Sequence, residues 1–459
     1  MAIDPREDDT IVALSTPPGL GGIAVVRLSG TESVSITNKL LPSNKRISAK
    51  SHGKALVTTI SDPSTGDTID EVVVTFFRAQ HSYTTEDLVE ISCHGGEYVQ
   101  SQILYLSTNA GARIAEPGEF TKRAFLGGRI DLSQAEAVAD LISAKVKSAH
   151  RFSILQMQGA LKERTSSLRS KIVELSALIE AELDFSDDEI TPTPKNVIAE
   201  KIDQVLIGIQ QVSGNYGYGK IIRNGAIVPI IGKPNAGKSS LLNALLAEER
   251  AIVTETPGTT TDIIECPVDI EGFLVRLIDT AGIRSASESV EKLGVDKTFE
   301  QIQSADLILW LIDKSSPIEE DDLNIYAELK NRNYIVLESK SDLSRHKSFN
   351  PERHDIKPDL AISSQTGDGL HELSSNIATK LRSLDAGEDA LITNARQAAA
   401  FSKSEKALKR ALSSTLDGAG NEFISVDIRD AMIYLGEITG EITTDDVLNE
   451  IFSRFCIGK

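Results

Sequence analysis

The sequence predicts a multidomain α/β plus α protein, with an α+β domain first, then a helical bundle, and a doubly wound α/β domain inserted into that bundle. Three observations predict it. The stretch Ala226 to Leu246 reads A-I-V-P-I-I, G-K-P-N-A-G-K-S-S, L-L-N-A-L-L, which is strand, glycine loop and helix in succession. Apolar residues recur at spacings of three and four on both sides of the inserted segment, as amphipathic helices require. The opening of the chain instead alternates short β-branched runs with Gly and Pro.

A chain of 459 residues is too long for one core, and its hydrophobic content of 40% supports globular folding. With 67 acidic against 48 basic residues the formal charge is −19. That excludes a protein that coats nucleic acid through its overall field, so any such contact must use a local patch or a partner. Cys93, Cys266 and Cys456 form no C-x-x-C pair, which argues against a zinc site or disulfide framework and fits a reducing, cytoplasmic location. The start, M-A-I-D-P-R-E-D-D-T, is acidic and lacks the apolar core of a signal peptide. No run of about 18 apolar residues is present, so no membrane contact is expected.

Thr10 to Gly30 reads as strand, tight loop, strand. Strands follow at Glu71–Phe77 and Leu88–Cys93, and a helix from Tyr98 to Ala110. Gly19 to Gly22, Gly95–Gly96 and His94 read as turn or structural residues, because no second metal ligand stands at a suitable spacing from His94. From Asp131 to about Tyr216 glycine and proline thin out, and Leu132, Ala135, Val138, Ile142 and later Leu161, Leu168, Ile172, Leu175 and Ile179 mark bundle helices. The acidic run Asp184 to Glu189 reads as solvated surface.

The α/β segment begins near Gly225. After the loop and its helix come T-E-T-P-G-T-T-T-D, a strand pair around V-D-I-E-G-F-L-V-R-L-I, D-T-A-G at Asp279 to Gly282, an interior strand Leu307–Asp313, a strand Tyr334–Glu338 ending at S-K-S-D, and D-L-A-I leading to S-S-Q-T-G. Strands alternating with helices predict a parallel sheet with its ligand at the carboxyl ends. Beyond Leu384 the pattern is helical again. The expected domains are 1–128, 129–224, 225–386 and 387–459.

The loop chemistry follows from its spacing. Gly232 and Gly237 let the chain wrap a polyphosphate with backbone N–H groups at a helix N-terminus. Lys238 supplies a charge to the outer phosphates and the Ser239 hydroxyl a magnesium ligand, with Thr260 a second and Asp279 reaching the metal through water. The loops Asn235, Ala236, Gly237, Ser240 and Thr280, Ala281, Gly282 complete the phosphate contacts. Asp342 accepts both the ring N–H and the exocyclic amine of guanine, which selects GTP, with Lys340 beside it. Ser339 stands where the usual N-K-x-D motif has asparagine, a change expected to weaken affinity. Ile283 follows Gly282 and cannot orient water as a glutamine would, so the water must be positioned from elsewhere; Arg284 is a candidate for an arginine finger.

These motifs, with N-terminal T-P-P-G-L-G-G-I-A-V-V-R-L-S-G, E-P-G-E-F-T-K-R-A-F-L-G-G-R-I-D-L-S-Q-A-E-A and the terminal F-C-I-G-K, resemble the tRNA modification GTPase family MnmE, also called TrmE, along the whole chain. The resemblance implies a Ras-like G domain and a potassium ion held by Asn235 and by Thr254, Thr256 and Thr259 of the switch loop, whose remaining residues Glu255, Pro257 and Gly258 line the nucleotide. That cation would do the work of an arginine finger. It assigns Glu291 to the catalytic water. Arg27, Glu90, Arg129 and Lys459 would contact a tetrahydrofolate one-carbon carrier, and Cys456 would take part in the uridine chemistry, its alternative being a buried small hydrophobe. Thr261 departs from the family's usual arginine. Ser364 and Gln365, beside Ser363 in the last guanine loop, depart from its alanine and basic residue.

The resemblance implies a homodimeric GTPase that, with an FAD-dependent MnmG-like flavoprotein in a heterotetramer, installs an aminomethyl or carboxymethylaminomethyl group on the wobble uridine of certain tRNAs. The rival reading is a GTP-dependent switch in ribosome assembly, which shares the phosphate loop and D-T-A-G but leaves the N-terminal motifs and C-I-G-K unexplained.

Overall fold

The computed structural model describes residues 9–184, 193–251, 265–279, 302–384 and 392–459, and they fall into two compact units. One comprises the chain up to Ala139 together with Gly436–Lys459; the other runs from Asp140 to Leu435.

The first unit is built on a six-stranded sheet in the order β3 (Ala55–Ser61), β4 (Thr68–Phe77), β5 (Leu88–Gly95), β2 (Gly21–Ser29), β1 (Ile11–Leu14), β6 (Arg113–Ile114). Alternation sets its two faces. Ala24, Val26 and Leu28 of β2, with Val72, Val74, Val89 and Ile91, point into a core closed by Ile36 and Leu40 of the helix Ser33–Leu40 and by Ile103 and Leu106 of the helix Glu97–Asn109. Val25, Arg27, Glu90 and Ser92 lie on the opposite face. Strand β5 runs two residues beyond the expected end, so His94 and Gly95 are strand rather than turn. Gly95 pairs with Gly21, and a Cβ there would collide with the Gly21 carbonyl, which is the physical reason for the glycine.

The helix Glu119–Leu126 and the returning helix Asp445–Ser453 pack through Phe125, Leu132, Leu448, Phe452 and Phe455. The chain then closes back on β1. Ser15 donates to the Gly458 carbonyl at 3.1 Å, Ile457 bridges Pro117, and a side chain at Gly458 (φ 91°) would collide with the Leu14 carbonyl.

In the second unit the helices Ala160–Asp184, Lys195–Ser213 and Ala395–Leu416 pack side by side. The sheet of the same unit has the order β13 (Leu360–Ala361), β12 (Tyr334–Ser339), β11 (Ile308–Asp313), β7 (Ala226–Ile231), β10 (Phe273–Asp279), β9 (Glu265–Ile270), β8 (Arg250–Ala251). From β13 to β10 it is parallel, while β9 and β8 add an antiparallel edge to the expected parallel sheet. Every residue of β11 is buried, as its unbroken apolarity requires for a strand covered on both faces. The last strand pairs through two residues rather than four.

Candidate functional site

The carboxyl ends of β7, β10, β11, β12 and β13 deliver Gly232, Asp279, Asp313, Ser339 and Ser363 to one edge of the sheet. Leaving β7, the chain passes Gly232 (φ 150°), where a Cβ would sit 2.6 Å from the Leu311 carbonyl, and Gly237 (φ 100°), which starts the helix Lys238–Glu248. Asn235 between them is left-handed at φ 64°, an uncommon conformation outside glycine that asparagine tolerates better than most. Its side chain and those of Ser239 and Ser240 are exposed; Ala236 is buried.

Lys238 is buried and folds over the loop, donating to the carbonyls of Gly232 and Lys233 at 2.9 Å each. Its ammonium is therefore held against the backbone of the loop. Ser239 donates to Asp279 Oδ2 at 2.6 Å, joining the first turn of that helix to the end of β10. This hydroxyl–carboxylate pair offers two hard oxygens side by side, a donor set that fits magnesium.

The base loop is tied to the phosphate loop by the residue that departs from the motif. Ser339, 3% exposed, donates to the Ala236 carbonyl at 2.8 Å, with the Ile312 carbonyl at 3.3 Å. Lys340, left-handed at φ 59°, places its ammonium 2.6 Å from Asp313. Burial pushes the Asp313 carboxyl up, but hydrogen bonds from Lys340 and Ser315 outweigh it and hold the pKa below the usual value. Asp342 is exposed and accepts from Ser363 at 2.6 Å, a bond that holds its carboxyl below the ordinary range and fixes one oxygen. Ser363 is fully buried and its hydroxyl also accepts from the Gln365 and Thr366 amides, so it organises the last loop; Ser364 is half-buried. The residues Thr254 to Thr261, Thr280 to Arg284 and Glu291 lie outside the described residues. So do the acidic run from Phe185 onward and the switch-loop share of the cation set.

The other predicted cluster lies in the first unit. Arg27 and Glu90 are cross-strand partners on β2 and β5, with Arg27 Nη2 2.7 Å and Nε 3.0 Å from Glu90 Oε1. The Arg27 guanidinium lies 5.7 Å over the ring of buried Phe120, and Arg129 lies 6.0 Å over Tyr83 while donating to the Ser82 carbonyl at 2.7 Å. The Tyr83 hydroxyl meets Thr121 at 3.1 Å. Burial raises the Tyr83 pKa, against the pull of the Thr121 hydrogen bond and the two guanidinium charges. Phe120 and Tyr83 were not among the expected site residues; the E-P-G-E-F-T stretch held one of them, but no spacing rule pointed to it. In this polar cluster the half-buried Glu90 carboxylate lies beside the Arg27 guanidinium, with Phe120 buried beneath it, and a carboxylate so placed fits the donor edge of a flat heteroaromatic ring. Lys459 is half-buried at the end of the tail that Ser15 and Pro117 anchor.

Cys456 is exposed, against its reading as a buried hydrophobe, and Gly118 N–H approaches its carbonyl at 3.5 Å. Cys93 by contrast is buried, and desolvation pushes its thiol up to about 11. His94 is exposed and bonds Asp70 at 2.7 Å, a structural role. Among the described residues no group of three or more His, Cys, Asp or Glu forms a metal cluster, and no helix is long and apolar enough to cross a membrane.

Two family models match the chain: the MnmE helical domain over residues 132–456, and the N-terminus of GTP-binding protein TrmE over residues 10–129. Among similar proteins, tRNA modification GTPase MnmE of Geotalea uraniireducens is 43% identical over 455 residues, 98% of this chain and 99% of its own. The protein of the same name from Aquifex aeolicus is 42% identical over 453 residues, 98% of this chain and 100% of its own. A solved structure of Aquifex aeolicus Era bound to GDP and AlF4− aligns with 40% of this chain and 66% of its own at 30% identity, with a TM-score of 0.27, a likeness too partial to carry an argument.

Proposed function

The chain belongs to the MnmE family of tRNA modification GTPases, and from that membership we propose how its two clusters divide the work. It hydrolyses GTP in the service of tRNA modification. In the proposed reading the second unit binds GTP with magnesium at Ser239, Asp279 and Thr260, Lys238 neutralising the outer phosphates. Asp342 reads guanine, with Lys340, Ser363, Ser364 and Gln365 around the base. Potassium at Asn235, Thr254, Thr256 and Thr259 replaces an arginine finger, and Glu291 orients the water. A homodimer joined to an MnmG-like flavoprotein carrying FAD then modifies the wobble uridine with a carboxymethylaminomethyl or aminomethyl group.

The first unit supplies the one-carbon unit in this reading, and the observation that supports it is the Arg27–Glu90 pair, with Arg27 over the Phe120 ring and Arg129 over Tyr83. The pterin ring of a tetrahydrofolate has the same 2-amino-4-oxo edge as guanine. Glu90 can therefore accept from that edge as Asp342 does from the base, at the expense of part of its bond to Arg27. Arg129 and Lys459 would take the carrier's anionic tail, and Cys456, exposed nearby in sequence, the uridine chemistry.

The test is mass spectrometry of tRNA nucleosides from cells lacking the gene, complemented with the wild type, Asp279→Ala or Glu90→Gln. The wobble-uridine modification should return only with the wild type. Unchanged nucleosides in the deletion strain would remove the tRNA reading and leave a switch in ribosome assembly as the better account. GTP turnover should fall strongly when potassium is replaced by sodium; equal rates would remove the cation assignment.

A further inference from the structure

A second lysine of the phosphate loop turns its ammonium to a segment outside the nucleotide motifs. Lys233 is 9% exposed, donates to the Pro317 carbonyl at 2.9 Å and to Glu319 Oε2 at 3.1 Å, and lies 3.3 Å from Asp322 Oδ2. Those acceptors are themselves fixed. Glu319 and Asp322 form a reciprocal capping box at the start of the helix Glu320–Leu329, with the Glu319 amide donating to Asp322 at 3.1 Å, and Asp322 is 1% exposed. A buried ammonium needs such partners, and a buried carboxylate needs the ammonium. The main chain of Lys233 is held too, its carbonyl accepting from Ala236 N–H and from Lys238 Nζ.

The other end of the same segment grips the base loop. Asp313 pairs with Lys340 at 2.6 Å, and Lys314 Nζ donates to the Ser341 carbonyl at 2.6 Å. Residues Asp313 to Asp322 thus connect the loop that reads the base to the loop that cradles phosphate, although none of the segment is expected to touch the nucleotide. We propose that this segment is a bridge that sets the spacing of the two nucleotide loops, with Lys233 as its positioning residue. The bridge gives affinity for a guanine and an outer phosphate, beyond the first, presented together, more than either loop offers alone. Asn235, two residues on and left-handed, is then presented from a loop whose first corner is pinned.

The proposal rests on the phosphate-loop reading above, so the experiment checks that reading separately. Full-length Lys233→Met is titrated with fluorescent GDP, and with GMP by competition. GDP affinity should fall about tenfold, the worth of one charge-assisted hydrogen bond, while GMP affinity stays within about twofold. Lys233→Arg should recover most of the loss. Unchanged GDP affinity would overturn the proposal, and so would equal losses for GDP and GMP, the mark of general damage to the fold. Should Lys233→Met fail to fold, Glu319→Gln, which keeps the Asp322 contact, should still weaken GDP about threefold and spare GMP. Lys238→Ala distinguishes the underlying reading: if it too leaves GDP affinity intact, the loop is no phosphate site and that reading fails first.

Discussion

Replacing Ser339 by alanine isolates a single hydroxyl that joins two loops. The oxygen has one proton and two carbonyls within reach, Ala236 at 2.8 Å and Ile312 at 3.3 Å, so the shorter contact takes it. Removing it forfeits about 1 kcal/mol of net hydrogen bonding, and the Ala236 carbonyl, on a buried residue, carries a further desolvation cost of ~1–3 kcal/mol where no water replaces the donor. Strands β7, β11 and β12 remain paired in register, so the loss falls on the loops rather than on the sheet. With ~1–2 kcal/mol felt at the site, GDP affinity should weaken roughly 5- to 30-fold. Titration of a fluorescent GDP analogue against wild type and Ser339→Ala reads this directly. A dissociation constant within twofold of wild type would refute the claim that serine takes over the tie between the loops.

Asp342→Asn should exchange the preference for GTP over xanthosine triphosphate, since an amide offers a donor where the carboxylate accepted; an unchanged preference in competition binding would refute the base assignment. Arg123→Met should destabilise the first unit by about 3 kcal/mol, because Arg123 donates to Glu86, Glu119 and the Asp9 carbonyl and its loss leaves carboxylates half-buried; calorimetry should show the first unit melting earlier. Arg113 still holds Glu119, which keeps the cost at the low end. Glu119 also sets an acid limit. Burial pushes its carboxyl up, but Arg113, the Glu116 amide and Arg123 win, so its pKa is lowered in the folded state. A lowered carboxylate contributes stability above its unfolded value and loses it as pH falls through the folded value. Glu119→Gln should therefore flatten the acid branch of a melting-temperature profile below the ordinary glutamate range, and an unaltered slope would count against it.

Much of the second sheet was legible because β11 and β7 are buried on both faces and read as unbroken apolar runs, and because a phosphate loop forces strand, turn and helix together. Strand β3 and the helix Glu119–Leu126 were not, since Ala55–Ser61 alternates only weakly and the helix has a left-handed glycine, Gly118, instead of a side-chain cap. At the candidate site, spacing singled out Lys238, Ser239 and Asp279, and the fold brings the last two within a hydrogen bond of each other. It did not announce Lys233 as a buried ion-pair partner, because Glu319 and Asp322 stand far along the chain and only the fold brings them near. Ser339 looked like a loss at the motif level. Its short side chain reaches the Ala236 carbonyl only because β12 delivers it beside the loop.

The bond between Ser15 and Gly458 spans 443 positions, and the first unit is completed by a segment that begins at Gly436. Closing so long a loop adds little entropy once the intervening unit is folded, because the cost grows only with the logarithm of length. It has a price in time instead. A ribosome adding ~5–20 residues per second needs roughly 15–60 s to pass from Ala139 to Gly436, during which the helices Glu119–Leu126 and Leu132–Ser143 have no returning helix to cover Phe125 and Leu132. Newly made chains are thus exposed at that apolar face for the whole synthesis of the GTPase, and holding chaperones have their longest opportunity there.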